Sequence, residues 1–249
     1  MIQVKNAAQI AAMRDAGKIT GEALQMAGEM VKDGITTWDI DRAIHAYSTK
    51  CGATPSFLNY SGFPASACIS VNDEVIHGIP SKKRYLHEGD IVKIDVGAYY
   101  REYHGDSANT FPVGKISDEA AALIRVTKEA FEAGIRTIQP GSRLGDLGAA
   151  IDGYVSGYGF SAVRRYVGHG VGRELHEPPD VPNFGTAGRG QRIYAGMVIA
   201  VEPMINAGTP DVIELGDGWT VKTADGKLSA HYEHTLAVTD NGVVLLTKV

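Results

Sequence analysis

Five residues on five separate segments of this chain could do chemistry together: Asp95, Asp106, His169, Glu202 and Glu233. Asp95 stands in a run where Val92, Ile94 and Val96 alternate with Lys93, Asp95 and Gly97. Such period-2 alternation specifies a strand, and Asp is normally depleted from β-branched strands. Asp106 follows eleven positions later. A tight turn between them predicts an antiparallel hairpin with the two carboxylates side by side. Two ionised acids in contact, partly out of water, repel unless a cation lies between them. Glu202 interrupts the apolar run 197–205, read as one strand, where a lone carboxylate needs a partner. Glu233 is read as a mid-strand acid sharing a face with His231 and Thr235, and His169 lies between Gly168 and Gly170, where backbone can approach closely.

Each residue has a plain structural explanation alone: a turn-capping Asp, an ion pair of Glu202 with Arg, an exposed strand acid, an incidental His. Together they make four carboxylates and one imidazole. Two divalent cations would neutralise the four acids. An oxygen-rich set with one nitrogen suits Mn, Fe, Co or Zn rather than a closed cysteine zinc site. Two such ions, about 3.5–4 Å apart, can hold a hydroxide as nucleophile. The residues alone therefore reach a dinuclear metal hydrolase. His77 and His176, each flanked by turn residues, are further candidates, whereas His45, His87 and His104 carry no signal.

The elements that must position these residues follow from capping and periodicity. Asn6 and Gln9 stand in capping-box spacing before a helix running to about Lys32. Thr37 starts a second helix with Gly52 at its end. Short strands are expected over 67–71 and 75–79, then the hairpin. A third helix begins at Ser117 with Asp118 and Glu119 in its first turn, where the dipole favours acids. Ser142 opens a fourth. Late in the chain, 219–223 is expected to pair with 228–238 around the turn Asp225-Gly226, and 242–248 to form the last strand.

The chain also repeats itself. Glu22, Ala23, Gly34, Asp39, Ala43, Ile44, Tyr47 and Gly52 recur as Glu129, Ala130, Gly141, Asp146, Ala150, Ile151, Tyr154 and Gly159, all at an offset of 107. The expectation is one domain over 1–249 built of two pseudo-equivalent halves, about 1–112 and 113–249, with a cleft at the seam.

Composition sets bounds. The chain has 249 residues, 44% hydrophobic and 21% charged, with a formal net charge of −5 and no basic block that would mark a nucleic-acid footprint. Cys51 and Cys68 form no CxxC pair and read as free thiols of a reducing compartment. The absence of a secretory signal pattern or a long apolar run predicts a cytoplasmic protein without a membrane span.

Specific motifs add a resemblance: Asn72-Asp73-Glu74 leading to His77-Gly78-Ile79-Pro80, Asp95 with His104-Gly105-Asp106, Gly168-His169-Gly170, His176-Glu177-Pro178-Pro179, Glu202-Pro203 and Glu233-His234-Thr235. Over essentially its whole length the sequence resembles the type I methionine aminopeptidases. The resemblance implies an α+β pita-bread (creatinase-like) fold, two pseudo-symmetric halves around a central curved antiparallel sheet with helices outside. It implies removal of the initiator methionine from nascent polypeptide N-termini, small second residues being preferred. Asp106 and Glu233 would bridge two metals, Asp95 would hold one, and His169 with Glu202 the other. The metal-held hydroxide would attack the scissile carbonyl, and Glu202 could also relay a proton. His176 would donate to the developing oxyanion and His77 face the scissile nitrogen. The methionine pocket would be Tyr60, Phe63, Cys68, Leu175 and Trp219; Leu175, Asn59 and Phe63 depart from residues common in the family. Transient ribosome association is compatible with this role but is read from no residue, and a monomer is expected.

Rivals are a prolidase or Xaa-Pro aminopeptidase, which usually carries a further N-terminal domain, and a non-catalytic binding protein, which would be expected to lose ligands. Type II methionine aminopeptidases carry an insertion between the last two ligands, but Glu202 and Glu233 are only 31 positions apart. A metal-dependent phosphoesterase fits the ligand types but not the motifs.

Overall fold

The computed structural model describes residues 2–249. Helix α1 (Ala7–Met30) starts at the Asn6–Gln9 capping box, both hydrogen bonds being made. It ends two residues before the expected Lys32. Helix α2 (Thr37–Lys50) is capped by Thr36 and Asp39. Strands β1 (Thr54–Pro55), β2 (Ala67–Val71), β3 (Glu74–Ile76), β4 (Ile91–Tyr100) and β5 (Tyr103–Pro112) complete the first half. Strand β3 stops short of residue 79 because His77 turns to φ 58° and leaves the ladder.

In the second half, α3 (Asp118–Ile135) is capped by the Ser117 side chain. Helix α4 (Leu144–Ser156) begins one residue later than expected. The Asp146 carboxylate accepts from Arg143 N, while Ser142 Oγ is spent on the turn at Gln139. Strands β6 (Ser161–Ala162), β7 (Gly168–Gly170), β8 (Glu177–Val181), β9 (Val198–Val201), β10 (Met204–Asn206), β11 (Val212–Glu214), β12 (Val221–Thr223), β13 (Ser229–His231), β14 (His234–Thr239) and β15 (Gly242–Leu245) follow. The terminal strand is thus shorter than 242–248.

All strand pairs are antiparallel. β1-β4-β2 with β5 on β4, and β15-β14-β9-β7-β8, are the two larger ladders; β13-β10-β6 and β11-β12-β3 are smaller. Three readings need correction. The run 197–205 is two strands in different ladders, broken at Glu202-Pro203, since Pro lacks the N–H a ladder needs. Strand β12 pairs with β11 and β3, not with 228–238, although Gly226 does turn the chain at φ 74°. In the hairpin, Asp95 lies opposite Ala108 and Asp106 opposite Gly97. The two acids are therefore diagonal neighbours on one face, two residues apart in register, a separation that side chains still bridge.

The offset of 107 has physical content. Tyr47 Oη donates to Glu22 Oε2 at 2.8 Å, and Tyr154 Oη to Glu129 Oε2 at 2.9 Å. The bridge Thr36↔Tyr85 recurs as Arg143↔Arg192, and the register Thr54↔Tyr99 as Ser161↔Asn206. The same offset carries Asp95 onto Glu202.

The halves meet where β5 runs antiparallel to the β13–β14 segment. Here hydroxyls grip backbone: Thr235 Oγ1 accepts from Asp106 N (2.9 Å) and donates to Asp106 O (2.8 Å). Thr110 Oγ1 does the same for His231, accepting from N (2.9 Å) and donating to O (2.8 Å). Glu233 N donates to Ala108 O at 2.8 Å between them. Fully buried Lys93 adds a cross-tie, its Nζ donating to Asn72 O and Ser229 O at 2.7 and 3.0 Å.

Apolar cores lie on the other side. One includes Leu123, Phe131, Leu147, Ile151 and Ile199; another includes Leu24, Ile40, Ile44, Ile69 and Ile94. Helix α1 reaches β5 closely because Gly105 has no side chain: a Cβ there would lie 2.8 Å from Gly17 Cα and 2.9 Å from Thr20 Oγ1, while the missing Cβ of Gly17 makes room for the Leu246 carbonyl. Gly105→Ala is expected to cost about 1–3 kcal/mol by overpacking. It should lower the urea midpoint with m unchanged; an unaltered midpoint would show that α1 yields freely.

Candidate metal centre and pocket

Five ligand-type residues converge on the seam, each placed by a break or pairing described above. Asp95 comes from β4, Asp106 from β5, His169 from β7, Glu202 from the β9–β10 break and Glu233 from the β13–β14 break. All five line one cavity of about 160 Å³. His169 Nε2 lies 3.5 Å from Glu202 Oε1 and 3.7 Å from Asp106 Oδ2. Atoms of Asp106, His169 and Glu233 fall within 4.8 Å of one another. His169 Nδ1 is 2.9 Å from Gly170 O. Donation of that N–H assigns the tautomer that turns the Nε2 lone pair toward the acids, as a metal-binding imidazole requires.

Electrostatics support a cation here. Asp95 Oδ1, Asp106 Oδ1 and Glu233 Oε1 are buried without a hydrogen-bond partner. Burial pushes the Asp95 carboxyl up to about 7. Asp106 is raised well above the usual range by burial, then by the charges of Asp95 and Glu202. Glu202 is raised by burial and by Asp95, and Glu233 by burial, Asp106 and Glu202. Burial lowers His169 to about 3, so it is neutral and able to ligate. A set of oxygen donors lacking internal partners, with one oriented imidazole, fits divalent metal.

The remaining sequence candidates line the same cavity: Tyr60, Phe63, Cys68, His77, Leu175, His176 and Trp219. Phe63, Cys68 and Leu175 are buried, and Trp219 packs edge-on against Phe63 at 5.1 Å. Burial pushes the Cys68 thiol well up, so it behaves as an apolar wall. His77 is lowered to about 4 by burial and then by His176, and stands edge-on to Trp219. The His176 ring lies 4.1 Å from that of His169, and its Nδ1 is 2.7 Å from Tyr60 Oη.

Sequence reasoning missed several residues. Phe57 adds a pocket wall. Lys5, from before α1, forms a buried pair with Glu177 at 2.5 Å. Glu177 Oε1 also accepts from Arg173 N at 2.9 Å, so this pair fixes the loop that carries His176. The capping-box spacing that begins at Asn6 gave no sign of Lys5, whose partner is 172 positions away. His231, passed over as a strand neighbour of Glu233, is buried with its Nε2 3.8 Å from Glu202 Oε2 and 4.0 Å from Glu233 Oε2. A larger groove of about 730 Å³ between α1 and α3 contains none of the candidates.

The comparisons agree with this geometry. The profile of Metallopeptidase family M24 matches residues 11–240. The chain belongs to this family of metal-dependent peptidases. Within it, the chain sides with the methionine aminopeptidases. It is 54% identical over 249 residues to the methionine aminopeptidase of Clostridium perfringens, covering 100% of both chains. It superposes on the crystal structure of methionine aminopeptidase from Thermotoga maritima with a TM-score of 0.98 at 44% identity, covering all of each. The prolidase from Pyrococcus furiosus shares the pita-bread fold at a TM-score of 0.81 and 25% identity, but the chain covers only 65% of it.

Raised carboxyl pKa values dictate a sign. A group that holds its proton more tightly when folded loses its stabilising contribution as pH rises through the folded pKa. The depressed imidazoles act oppositely but only below about 7, since His is neutral in both states above its ordinary 6.5. The loss attached to Asp95 therefore runs from about pH 4, where the free carboxyl ionises, to about pH 7, where the folded one does. Because the imidazoles oppose it in that window, it is read as a difference: metal-free wild type is expected to lose Tm relative to metal-free Asp95→Asn as pH rises from about 4 to about 7. Thermal melts of both proteins across that window check this; a constant difference in Tm would mean that burial does not perturb Asp95.

Proposed function

We propose that this chain is a methionyl aminopeptidase that removes the initiator methionine from nascent polypeptides, with 1–249 as one catalytic domain built of halves about 1–112 and 113–249. The single observation that carries the reading is one cavity whose lining joins apolar walls to four carboxylates, Asp106 and Glu233 buried and Asp95 and Glu202 nearly so, and to an oriented imidazole. Asp95, Asp106, His169, Glu202 and Glu233 would hold the metal. Four carboxylates match the charge of two divalent ions, and the donor set suits Mn, Fe, Co or Zn. Bound there, such ions supply Lewis acidity and a low-pKa water.

The chain's own residues do the rest. The walls of Phe57, Phe63, Cys68, Leu175 and Trp219, with Tyr60 at the mouth, exclude water and accept an unbranched thioether. Tyr60 Oη donates to His176 Nδ1, which leaves Nε2–H to meet the scissile carbonyl oxygen as charge develops on it. His77, on its left-handed turn, faces the scissile nitrogen, and Glu202 can carry the proton to the leaving amine. The protein works in this reading as a cytoplasmic monomer at newly made N-termini, with any ribosome contact transient. No helix among the described residues is long and apolar enough to cross a membrane.

Chelator should abolish hydrolysis and Mn, Fe or Co restore it; full activity in metal-free protein would overturn the reading. His176→Ala should cost roughly 2.7–4 kcal/mol in the chemical step with metal content unchanged, whereas Glu233→Ala should lose metal as well. Metal stoichiometry of the two variants separates donor from ligand. In a peptide series, norleucine should be cleaved measurably, because a missing or altered methylene group is worth only about 1–3 kcal/mol in an apolar pocket. Bulk in the second residue displaces the carbonyl at the crowded rim, at about 100-fold. Met-Gly, Met-Ala and Met-Ser should be processed and Met-Lys, Met-Phe and Met-Leu retained. Equal kcat/KM across them would refute the crowded rim, and preference for Pro-containing dipeptides would favour a prolidase.

A further inference from the structure

We propose that His231 is a positioning residue of the metal centre: its imidazole N–H braces the carboxylates of Glu202 and Glu233 in the orientation that holds metal. The inference rests on the reading of those two glutamates as ligands, and three observations carry it.

The first is the pseudo-symmetry of the seam. Thr235 holds the backbone N–H and C=O of Asp106 through one hydroxyl, and Thr110 holds those of His231 in the same way. The register agrees: Asp106 lies opposite Gly97 on β4, and His231 lies opposite Met204 on β10, 107 residues after Gly97. His231 thus occupies in the second half the place that Asp106 occupies in the first. Its side chain is delivered to the same centre by the same backbone clamp.

The second is what the ring meets there. His231 is only 2% exposed, and neither ring nitrogen has a hydrogen-bond partner. Buried polar groups left unpaired oppose folding. Its Nε2 lies 3.8 Å from Glu202 Oε2 and 4.0 Å from Glu233 Oε2, beyond direct hydrogen-bond range but at the same ring nitrogen. The clamp fixes the backbone and burial confines the ring, so a small shift of either carboxylate closes the gap.

The third distinguishes bracing from ligation. An imidazole that ligates metal normally anchors its other N–H on an acceptor, as His169 does on Gly170 O. His231 Nδ1 has no such acceptor. It carries its proton toward the glutamates instead.

The test uses the full chain stripped of metal and titrated with Co²⁺, read by visible absorption and by stoichiometry, alongside thermal melts of the metal-free proteins. The variants are His231→Met, which keeps bulk without a donor, and His231→Gln, which keeps an N–H. His231→Met should bind the same number of ions as wild type but about 10–100-fold more weakly. His231→Gln should recover most of that loss. Metal-free His231→Met should melt no lower than wild type, because the unpartnered imidazole contributes nothing to the empty fold. Unchanged Co²⁺ affinity in His231→Met would overturn the proposal. So would a lowered melting temperature or failure to fold in the metal-free form, which would make the residue structural. Loss of one equivalent of Co²⁺ without rescue by Gln would overturn it in favour of direct ligation. Absence of Co²⁺ binding by wild type would instead remove the metal reading itself.

Discussion

Four carboxylates packed out of water at one seam are the constraint on which this structure turns. Asp95, Asp106, Glu202 and Glu233 cannot all be ionised there without a counter-charge, and among the described residues no arginine or lysine forms an ion pair with them. Lys93, the buried cation of the same region, spends its donors on the carbonyls of Asn72 and Ser229. The architecture around the acids serves to hold them in spite of their repulsion. The ladders break at Glu202-Pro203 and at Tyr232-Glu233, so that acids stand where backbone pairing is suspended. Threonine hydroxyls replace part of the missing ladder and lock β5 to the opposite half. Helix α1 lies tight against β5 through Gly17 and Gly105, which stiffens the strand behind Asp106.

Selectivity is built from a different material. The pocket walls are aromatic or aliphatic and mostly buried, and they join the acids only at the rim, where His77, His176 and Tyr60 stand. Holding the His176 loop takes a buried ion pair reaching back to Lys5. One site thus depends on both ends of the sequence: Lys5 near the start and the Glu233–Thr235 segment near the finish.

Much of this was legible in the residues because local rules act locally. Asn6 with Gln9, Ser117 with its acids and the glycines at 34, 52, 141 and 159 announce helix ends through short-range hydrogen bonds and positive φ. The offset of 107 exposed the two halves because caps and core stripes recur together. Ligand types exposed the metal chemistry, since acids are costly in apolar strands. Long-range register was not legible. No short-range feature tells that Asp95 faces Ala108 rather than Asp106, or that β12 joins β3 rather than the strand following its own turn. Pro203 was visible but its effect was not, because an apolar run reads as continuous until one asks where each N–H goes. His231 was hidden for a related reason: apart from its own chain neighbours and Glu233, the residues around it come from 27 or more positions away.

The correspondence of Asp95 with Glu202, and of Asp106 with His231, is one of backbone place and not of charge. The pseudo-dyad sets an acid against an acid in the first pair and an acid against an imidazole in the second. The further acid of the second half, Glu233, stands against Ala108, which carries no charge. The seam is thus symmetric in its strands and lopsided in its polarity. A substrate with an amine at one end and a carbonyl at the other needs such a difference between two edges that the backbone alone would make alike.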